Sequence, residues 1–287
     1  MKMKSLILTI AATLGMTALT MAQNVPNYVP TNGLIGWWPF NGNANDESGN
    51  GNNGTVNGAF LTTDRFGQPG KAYSFDGNGD SITVINLPYC SNYTFSGWFY
   101  CDSLITPYPL LYNQKTSPEN NRLHILGLGY TPPDFGALFT GDDNNGNLYT
   151  STILVNDYSW HLATVVYDHQ NNIMKMYIDG LYNGSSNLSS PSTFSGRTKF
   201  GNGFTQQPNP PYDSKGFNGK LDDFGFWNRA LTQQEITDLY NGNICYQTIT
   251  VTDTLLINMG ITGFNPLTYN NTIKIFPNPT NDHITIN

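Results

Sequence analysis

The chain has 287 residues, of which 38% are hydrophobic and only 11% charged, with a net charge of −7. An acidic surface gains nothing from a phosphate backbone or an anionic bilayer, so the composition argues against nucleic-acid and membrane-surface partners. The apolar share, rich in aromatics, is enough to bury a sizeable core.

From the N-terminus, Lys2 and Lys4 precede an apolar run from Leu6 to Leu19, and Thr20-Met21-Ala22 offers a small-residue cleavage site. This is the plan of a secretory signal peptide over residues 1–22. The run is shorter than the ~20 residues that span a bilayer. Export is therefore expected, with residues 23–33 as an N-terminal linker. Gly36-Trp37-Trp38-Pro39-Phe40 then reads as a strand entering an Asn/Gly-rich loop, Asn41 to Gly54, that contains Asp46.

Asn-Gly steps recur, among them Asn41-Gly42, Asn57-Gly58, Asn183-Gly184 and Asn218-Gly219. Both residues tolerate positive φ, so these steps are expected to be hairpin turns. Short alternating runs lie between them. Residues 82–85, 93–100, 161–167 and 173–178 read as strands, the last two paired, and Asp179-Gly180 as the turn that follows. Many short strands with one helix predict an all-β sandwich of two antiparallel sheets. Cys90 and Cys101 flank the run 93–100. A straight strand of that length separates them by roughly 30 Å, whereas a disulfide needs Cα atoms within about 7 Å. They are not expected to pair with each other. Cys245 could pair with either or stay free.

The stretch 217–231 is the one on which the rest depends. Strand alternation from Leu221 to Trp227 puts Leu221, Asp223, Gly225 and Trp227 on one face and Asp222, Phe224 and Phe226 on the other. Both faces are partly apolar, which places the strand inside a two-layer protein. Such a strand normally avoids two adjacent carboxylates. A hydrogen-bond network or a cation must compensate them. A short helix follows, with Thr232 as N-cap, Glu235 completing a capping box, and Leu231 and Ile236 as a hydrophobic staple. Ile236, Leu239 and Tyr240 form its buried face, and Gly242 ends it. Beyond Cys245, residues 246–270 read as a linker strand. The segment Ile273 to Ile286 then carries a Phe276-Pro277-Asn278-Pro279 turn.

Three of these stretches, in this order, resemble the laminin-G-like, concanavalin-A-type jelly roll. They are the opening strand with its Asp46-Glu47-Ser48-Gly49-Asn50 loop, the element Gly67 to Gly77, and the closure from Gly219 through Asp222-Asp223 to Trp227-Asn228-Arg229-Ala230-Leu231. Trp160-His161 and Tyr177-Ile178-Asp179-Gly180 are similar to the core hairpin of that family. The resemblance covers residues 34–245 and implies a jelly-roll sandwich with one short C-terminal helix. It also implies a structural Ca2+ bridging the opening loop and the closing strand. Its ligands would be Asp46 and one of Asp222 or Asp223, with carbonyls near Asn41 and Gly77. The residues themselves leave open that these acids accept backbone N–H bonds without metal. Ile273 to Ile286 resembles the first motif of the C-terminal sorting domain read by the type IX secretion system of Bacteroidetes. Residues 271–287 would be its truncated start, and the secretion machinery a partner.

Glycosidases on such sandwiches use two carboxylates about 5 to 9.5 Å apart. Glu47, Glu119 and Glu235 open no Glu-x-Asp-x-Glu strand. Asp222 and Asp223, on opposite faces, could not flank one bond. No zinc-protease, nucleophile-elbow or phosphate-loop motif occurs, and His161 has no Ser or Cys nucleophile context. A non-catalytic module is expected. Sugar binding needs an exposed aromatic face flanked by amides and carboxylates. Tyr108, Tyr130, Phe135, Tyr212 and Asp213, in proline-stiffened loops, are the candidates. Trp37, Trp98, Trp160 and Trp227 lie in strand patterns and are expected in the core. The resemblance implies a glycan or an extracellular matrix protein as ligand. Two readings compete: a glycan-processing enzyme or its accessory module, and a structural spacer of a surface adhesin.

Overall fold

The computed structural model describes residues 25–104, 110–115, 122–129, 134–142, 147–188, 194–203, 216–242, 275–277 and 284–286. The chain divides into two units, Met1–Cys245 and Tyr246–Asn287. The first unit holds strands β1 (Leu34–Trp38), β2 (Thr55–Asn57), β3 (Phe60–Thr62), β4 (Ala72–Asp76), β5 (Ser81–Cys90), β6 (Tyr93–Cys101), β7 (Leu110–Lys115) and β8 (Arg122–Leu128). It continues with β9 (Ala137–Asp142), β10 (Asn147–Leu154), β11 (Trp160–Asp168), β12 (Ile173–Ile178), β13 (Leu181–Asn187), β14 (Phe194–Phe200), β15 (Asn218–Trp227) and helix α1 (Gln233–Asn241). In the second unit, β16 (Ile275–Pro277) pairs with β17 (Ile284–Ile286).

One sheet runs β13-β12-β11-β6-β15-β4-β3, with β1 also paired to β15; the other runs β10-β9-β8-β7-β14-β5-β2. The ladders are antiparallel. Neighbours far apart in sequence, such as β6 beside β15, make this a jelly-roll sandwich of two antiparallel sheets. The expected hairpin is present: Ala163 to Asp168 pair with Ile178 back to Ile173. Asp179 (φ 52°) and Gly180 (φ 76°) form the two-residue turn that follows. Both φ values are positive, as a type I′ hairpin requires.

Two apolar layers form, one on each face of the first sheet. Trp38, Phe40, Phe95, Phe99, Phe200 and Phe224 belong to the layer between the sheets. Trp37, Trp98, Trp227, Leu231, Ile236 and Leu239 belong to a second layer outside it, under α1. Each such side chain stabilises the fold by about 1.5–3 kcal/mol through loss of wet surface. Double coverage explains β6, whose residues from Tyr93 to Phe99 are all buried. A sheet with one wet face would alternate instead.

The helix follows the sequence signals. Thr232 accepts from the Glu235 N–H and the Glu235 side chain returns to the Thr232 N–H, a complete capping box. Arg229 Nη1 also donates to Glu235 at 2.9 Å. This bond, against a smaller effect of burial, brings the Glu235 pKa down to about 2. Gly242 ends the helix in the right-handed region. It is glycine for space: a Cβ there would lie 2.0 Å from the Tyr28 ring.

Several expectations need correction. Asn183-Gly184 and Asn218-Gly219 lie inside β13 and β15 and are not turns. A Cβ at Gly219 would sit 2.1 Å from the Tyr100 carbonyl, so close backbone approach selects that glycine. The expected N-terminal linker is anchored to the sandwich at Val29 and Pro30. Val29 is buried in the outer layer, and Trp227 Nε1 donates to the Pro30 carbonyl at 2.6 Å. Cys90 and Cys101 are free buried thiols, and burial pushes both up to about 11. Cys245 lies outside the described residues.

Candidate functional site

The closing strand does not keep its parity. Along one edge β15 pairs with β6, and the register slips between Asp222 and Gly225. Asp223 stands there with φ 46°, the left-handed conformation that Asp adopts more readily than most residues. The extra residue is a β-bulge. Leu221, Phe224 and Phe226 therefore face the inner layer, and Trp227 the outer one. Asp222 and Asp223 no longer point to opposite faces but engage the same group. Arg65 Nη1 donates to Asp222 Oδ2 and Nη2 to Asp223 Oδ2, both at 2.6 Å.

This bridge is nearly dry. The side chains of Arg65, Asp222 and Asp223 are 7%, 4% and 12% exposed. Burial raises the pKa of both carboxyls, with Arg65 opposing the rise. Burial also disfavours the Arg65 charge, but the two carboxylates outweigh it and hold the guanidinium ionised. Its planar face lies 4.6 Å from the ring centroids of Phe66 and Trp98, a cation–π arrangement. The compensation that the acid pair demands is thus an arginine, 157 residues away in the chain.

The far edge of β15 explains why a cavity opens here. Asn218 to Leu221 pair with β4, and Phe224 to Trp227 pair with β1. β1 and β4 part at the bulge. A cavity of about 560 Å³ lies at this parting. Its wall includes Tyr28, Trp37 and Phe66 beside the amides of Asn41 and Gln68. Charge comes from Glu47, Asp64, Asp222 and Asp223 against Arg65 and Lys71. The loop carrying Phe66 is built locally. Asp64 Oδ1 accepts from the N–H groups of Phe66 and Gln68 at 2.8 Å, so the turn holds Phe66 54% exposed beside the cavity.

Asp46 stands apart from this wall. Its Oδ1 accepts from the N–H groups of Trp37 and Ser48, and its Oδ2 from that of Asn52, each at 2.9 Å. Asn50 and Asn52 side chains donate to the Ile35 carbonyl, which pins the loop to β1. Gly77 forms a turn at φ 81°, and its carbonyl lies against Gly216. Of the residues expected around calcium, Asn41, Asp222 and Asp223 meet at the cavity, while Asp46 and Gly77 do not line it. Asp46 is occupied by backbone donors and the acid pair by Arg65. Among the described residues no group of three or more His, Cys, Asp or Glu side chains is arranged to hold a metal. These residues do not fit the shared ion.

Of the expected ligand residues, Phe135 is 43% exposed. Tyr108, Tyr130, Tyr212 and Asp213 lie outside the described residues. His161 is structural: its Nδ1 meets Asp179 at 2.8 Å and its Nε2 meets Asp157 at 3.0 Å. Burial opposes its protonation, but hydrogen bonds to the two carboxylates more than offset this and raise its pKa. Trp37, Trp98 and Trp227 are core as expected, and Trp160 is partly buried against the outer layer. Phe66, Gln68 and Arg65 were missed. The available signal was Asp64-Arg65-Phe66-Gly67-Gln68, an Asx turn presenting an aromatic between polar neighbours.

The family model Laminin_G_3, described as the concanavalin A-like lectin/glucanases superfamily, matches residues 76–237, more than half of the chain. The chain belongs to this family. No curated protein matches it in sequence. Among solved structures, this concanavalin A-like chain is similar to domain 4 of AbnA, a GH43 extracellular arabinanase from Geobacillus stearothermophilus, solved in complex with arabinotriose. Identity is 20% and the TM-score 0.53, over 72% of this chain and 98% of that one. It is also similar to the binding domain of Paraclostridial Mosquitocidal Protein 1, at 19% identity and TM-score 0.57, over 74% of this chain and 52% of that one. A heptameric SAP-like pentraxin from Limulus polyphemus matches at 16% identity and TM-score 0.50, over 59% of this chain and 81% of that one. The chain spans about half the length of the toxin binding domain it matches. At these identities the likenesses show the fold.

Proposed function

We propose that this chain is an exported, non-catalytic module that binds glycans through the cavity at the β15 bulge. The observation that carries this is the wall itself. An exposed aromatic, Phe66, stands beside the amides of Asn41 and Gln68 and the carboxylates of Glu47 and Asp64. An aromatic face covers the C–H side of a sugar ring, and amides and carboxylates take its hydroxyls. The arabinotriose-bound arabinanase domain, on the same fold, supports a sugar as ligand class. The binding domains of bacterial toxins support a binding role without chemistry.

Catalysis is disfavoured for a new reason. The bulge brings Asp222 and Asp223 to one side, but Arg65 holds both. Neither is poised as an acid or nucleophile across a glycosidic bond. Calcium has no part in this reading. The basic and apolar N-terminal stretch supports export, and the β16–β17 pair within the Pro-Asn-Pro segment suits a secretion signal.

A glycan array followed by calorimetry on the best ligand tests the proposal. Phe66→Ala should weaken binding at least tenfold without unfolding, because the ring is 54% exposed. Equal affinity of wild type and Phe66→Ala would move the site elsewhere. Release of reducing ends from a polysaccharide would make the chain an enzyme instead. A blank array would favour a spacer or a protein-binding role.

A further inference from the structure

Away from the cavity, His161 is clamped between two acids. Its Nδ1 meets Asp179 Oδ2 at 2.8 Å and its Nε2 meets Asp157 Oδ1 at 3.0 Å. An ionised carboxylate only accepts hydrogen bonds, so both ring nitrogens must carry a proton to make both bonds. The arrangement is complete only with the imidazolium. The two arms of the clamp differ. Asp179 is fixed: its Oδ1 accepts from the Leu162 N–H at 2.9 Å, and its turn is held by α1, where Gln233 Nε2 donates to the Gly180 carbonyl at 2.7 Å. Asp157 stands on a short stretch between Val155, which is fully buried, and Trp160, where β11 begins. Its side chain is 55% exposed, against 27% for Asp179.

That stretch carries a second, independent sign of constraint. Tyr158 has φ 61° and is 67% exposed. A bulky residue seldom adopts this left-handed conformation. It persists only where surrounding contacts impose it. Here Asp157 supplies them: its Oδ1 accepts from the Ser159 N–H at 3.0 Å and faces His161.

We propose that His161 is a pH-sensitive latch: with both nitrogens protonated it ties residues 156–159 to the β12–β13 turn, and on losing a proton it frees that stretch and the Tyr158 ring it displays. The proton leaves for solvent from Nε2, since the less exposed Asp179 keeps the Nδ1–H. A bare Nε2 lone pair then faces the Asp157 carboxylate, and the two repel. Among the described residues, the other groups that meet this clamp from neighbouring elements are uncharged. β6 presents the Phe99 ring, 5.9 Å from the imidazole, and α1 meets the turn through Gln233 and Tyr240. Burial works against the imidazolium, but hydrogen bonds to Asp179 and Asp157 outweigh it and raise the His161 pKa. The bond to His161 also holds the Asp157 carboxyl below its usual range. The latch is therefore closed in mildly acid solution, below the ordinary imidazole value of about 6.5, and opens as the pH rises through the raised one.

The test is an NMR titration of the full chain labelled with 15N-histidine and 15N-tyrosine, from about pH 5 to about pH 9, which spans the range where histidine changes charge. The His161 ring signals are assigned by their loss in His161→Gln, and the Tyr158 amide by its loss in Tyr158→Phe. The two are expected to shift together with one midpoint above about 6.5, while the Tyr177 amide, on β12 before the fixed turn, stays in place. Asp157→Asn decides the matter, because an amide can accept from a protonated Nε2 and donate to a bare one. It should lower the His161 midpoint and abolish the Tyr158 transition. It changes only an exposed side chain, so it keeps the test open if His161→Gln does not fold. A Tyr158 amide that ignores the His161 titration would overturn the latch and leave a rigid ion pair. A Tyr158 transition that survives in Asp157→Asn would overturn it too, as would a His161 ring already neutral below about 6.5.

Discussion

Asp46 and the Asp222–Asp223 pair are both carboxylates buried beside β1, yet they are satisfied in opposite ways. Asp46 is held by three backbone N–H groups, from Trp37, Ser48 and Asn52, all within nine residues. The pair is held chiefly by one guanidinium from a distant loop, with Tyr28 also hydrogen-bonded to Asp223. Backbone donors accommodate a carboxylate without bringing in a second charge. An arginine must itself be stripped of water, so its bridge is worth little net energy but is costly to break. One arrangement is local and self-contained. The other ties the 63–71 loop to the centre of the sheet.

Breaking the bridge should therefore have the largest effect. Arg65→Ala leaves two buried carboxylates without their cation and should destabilise the fold by about 3–5 kcal/mol. Chemical denaturation measures it. Replacing the whole set, Arg65→Met with Asp222→Asn and Asp223→Asn, should recover most of that loss. If the triple variant is no better than Arg65→Ala, the charge of the pair is not what makes the single change costly. Asp46→Ala comes next. It leaves buried N–H groups unpaired and should cost about 1–3 kcal/mol. An effect larger than that of Arg65→Ala would reverse the comparison. The smallest effect is expected from removal of divalent cations. Because Asp46 and the acid pair are already occupied, EDTA should leave the melting temperature unchanged within a degree or so. A fall of several degrees, restored by excess calcium, would show that the two regions share an ion after all.

The same contrast decides what could be read from the residues alone. The capping box at Thr232 and Glu235 and the turn at Asp179-Gly180 were legible because each is complete within a few residues. The Asp46-Glu47-Ser48-Gly49-Asn50 loop could be located, but whether its acid met metal or backbone could not. The bulge at Asp223 was illegible. Alternation assigns faces only while the register holds, and nothing in Leu221 to Trp227 announces that one residue will turn left-handed. The partners of Arg65 are 157 and 158 residues on, beyond the reach of any local pattern. The cavity followed from neither segment. It exists because β1 and β4 separate on the same edge of β15, a relation among three strands far apart in the chain.

That arrangement has a consequence for how the protein is made. β15 is the hub of its sheet, joined to β6 along one side and to β4 and β1 along the other. A chain synthesised N-terminus first presents β1 and β4 long before residues 218–227 are made. Until then β1 has no mate and β4 has only β3, and pairings over such separations form slowly. The sandwich should close only after nearly the whole domain has been made, and the cavity at the bulge forms only with that last strand.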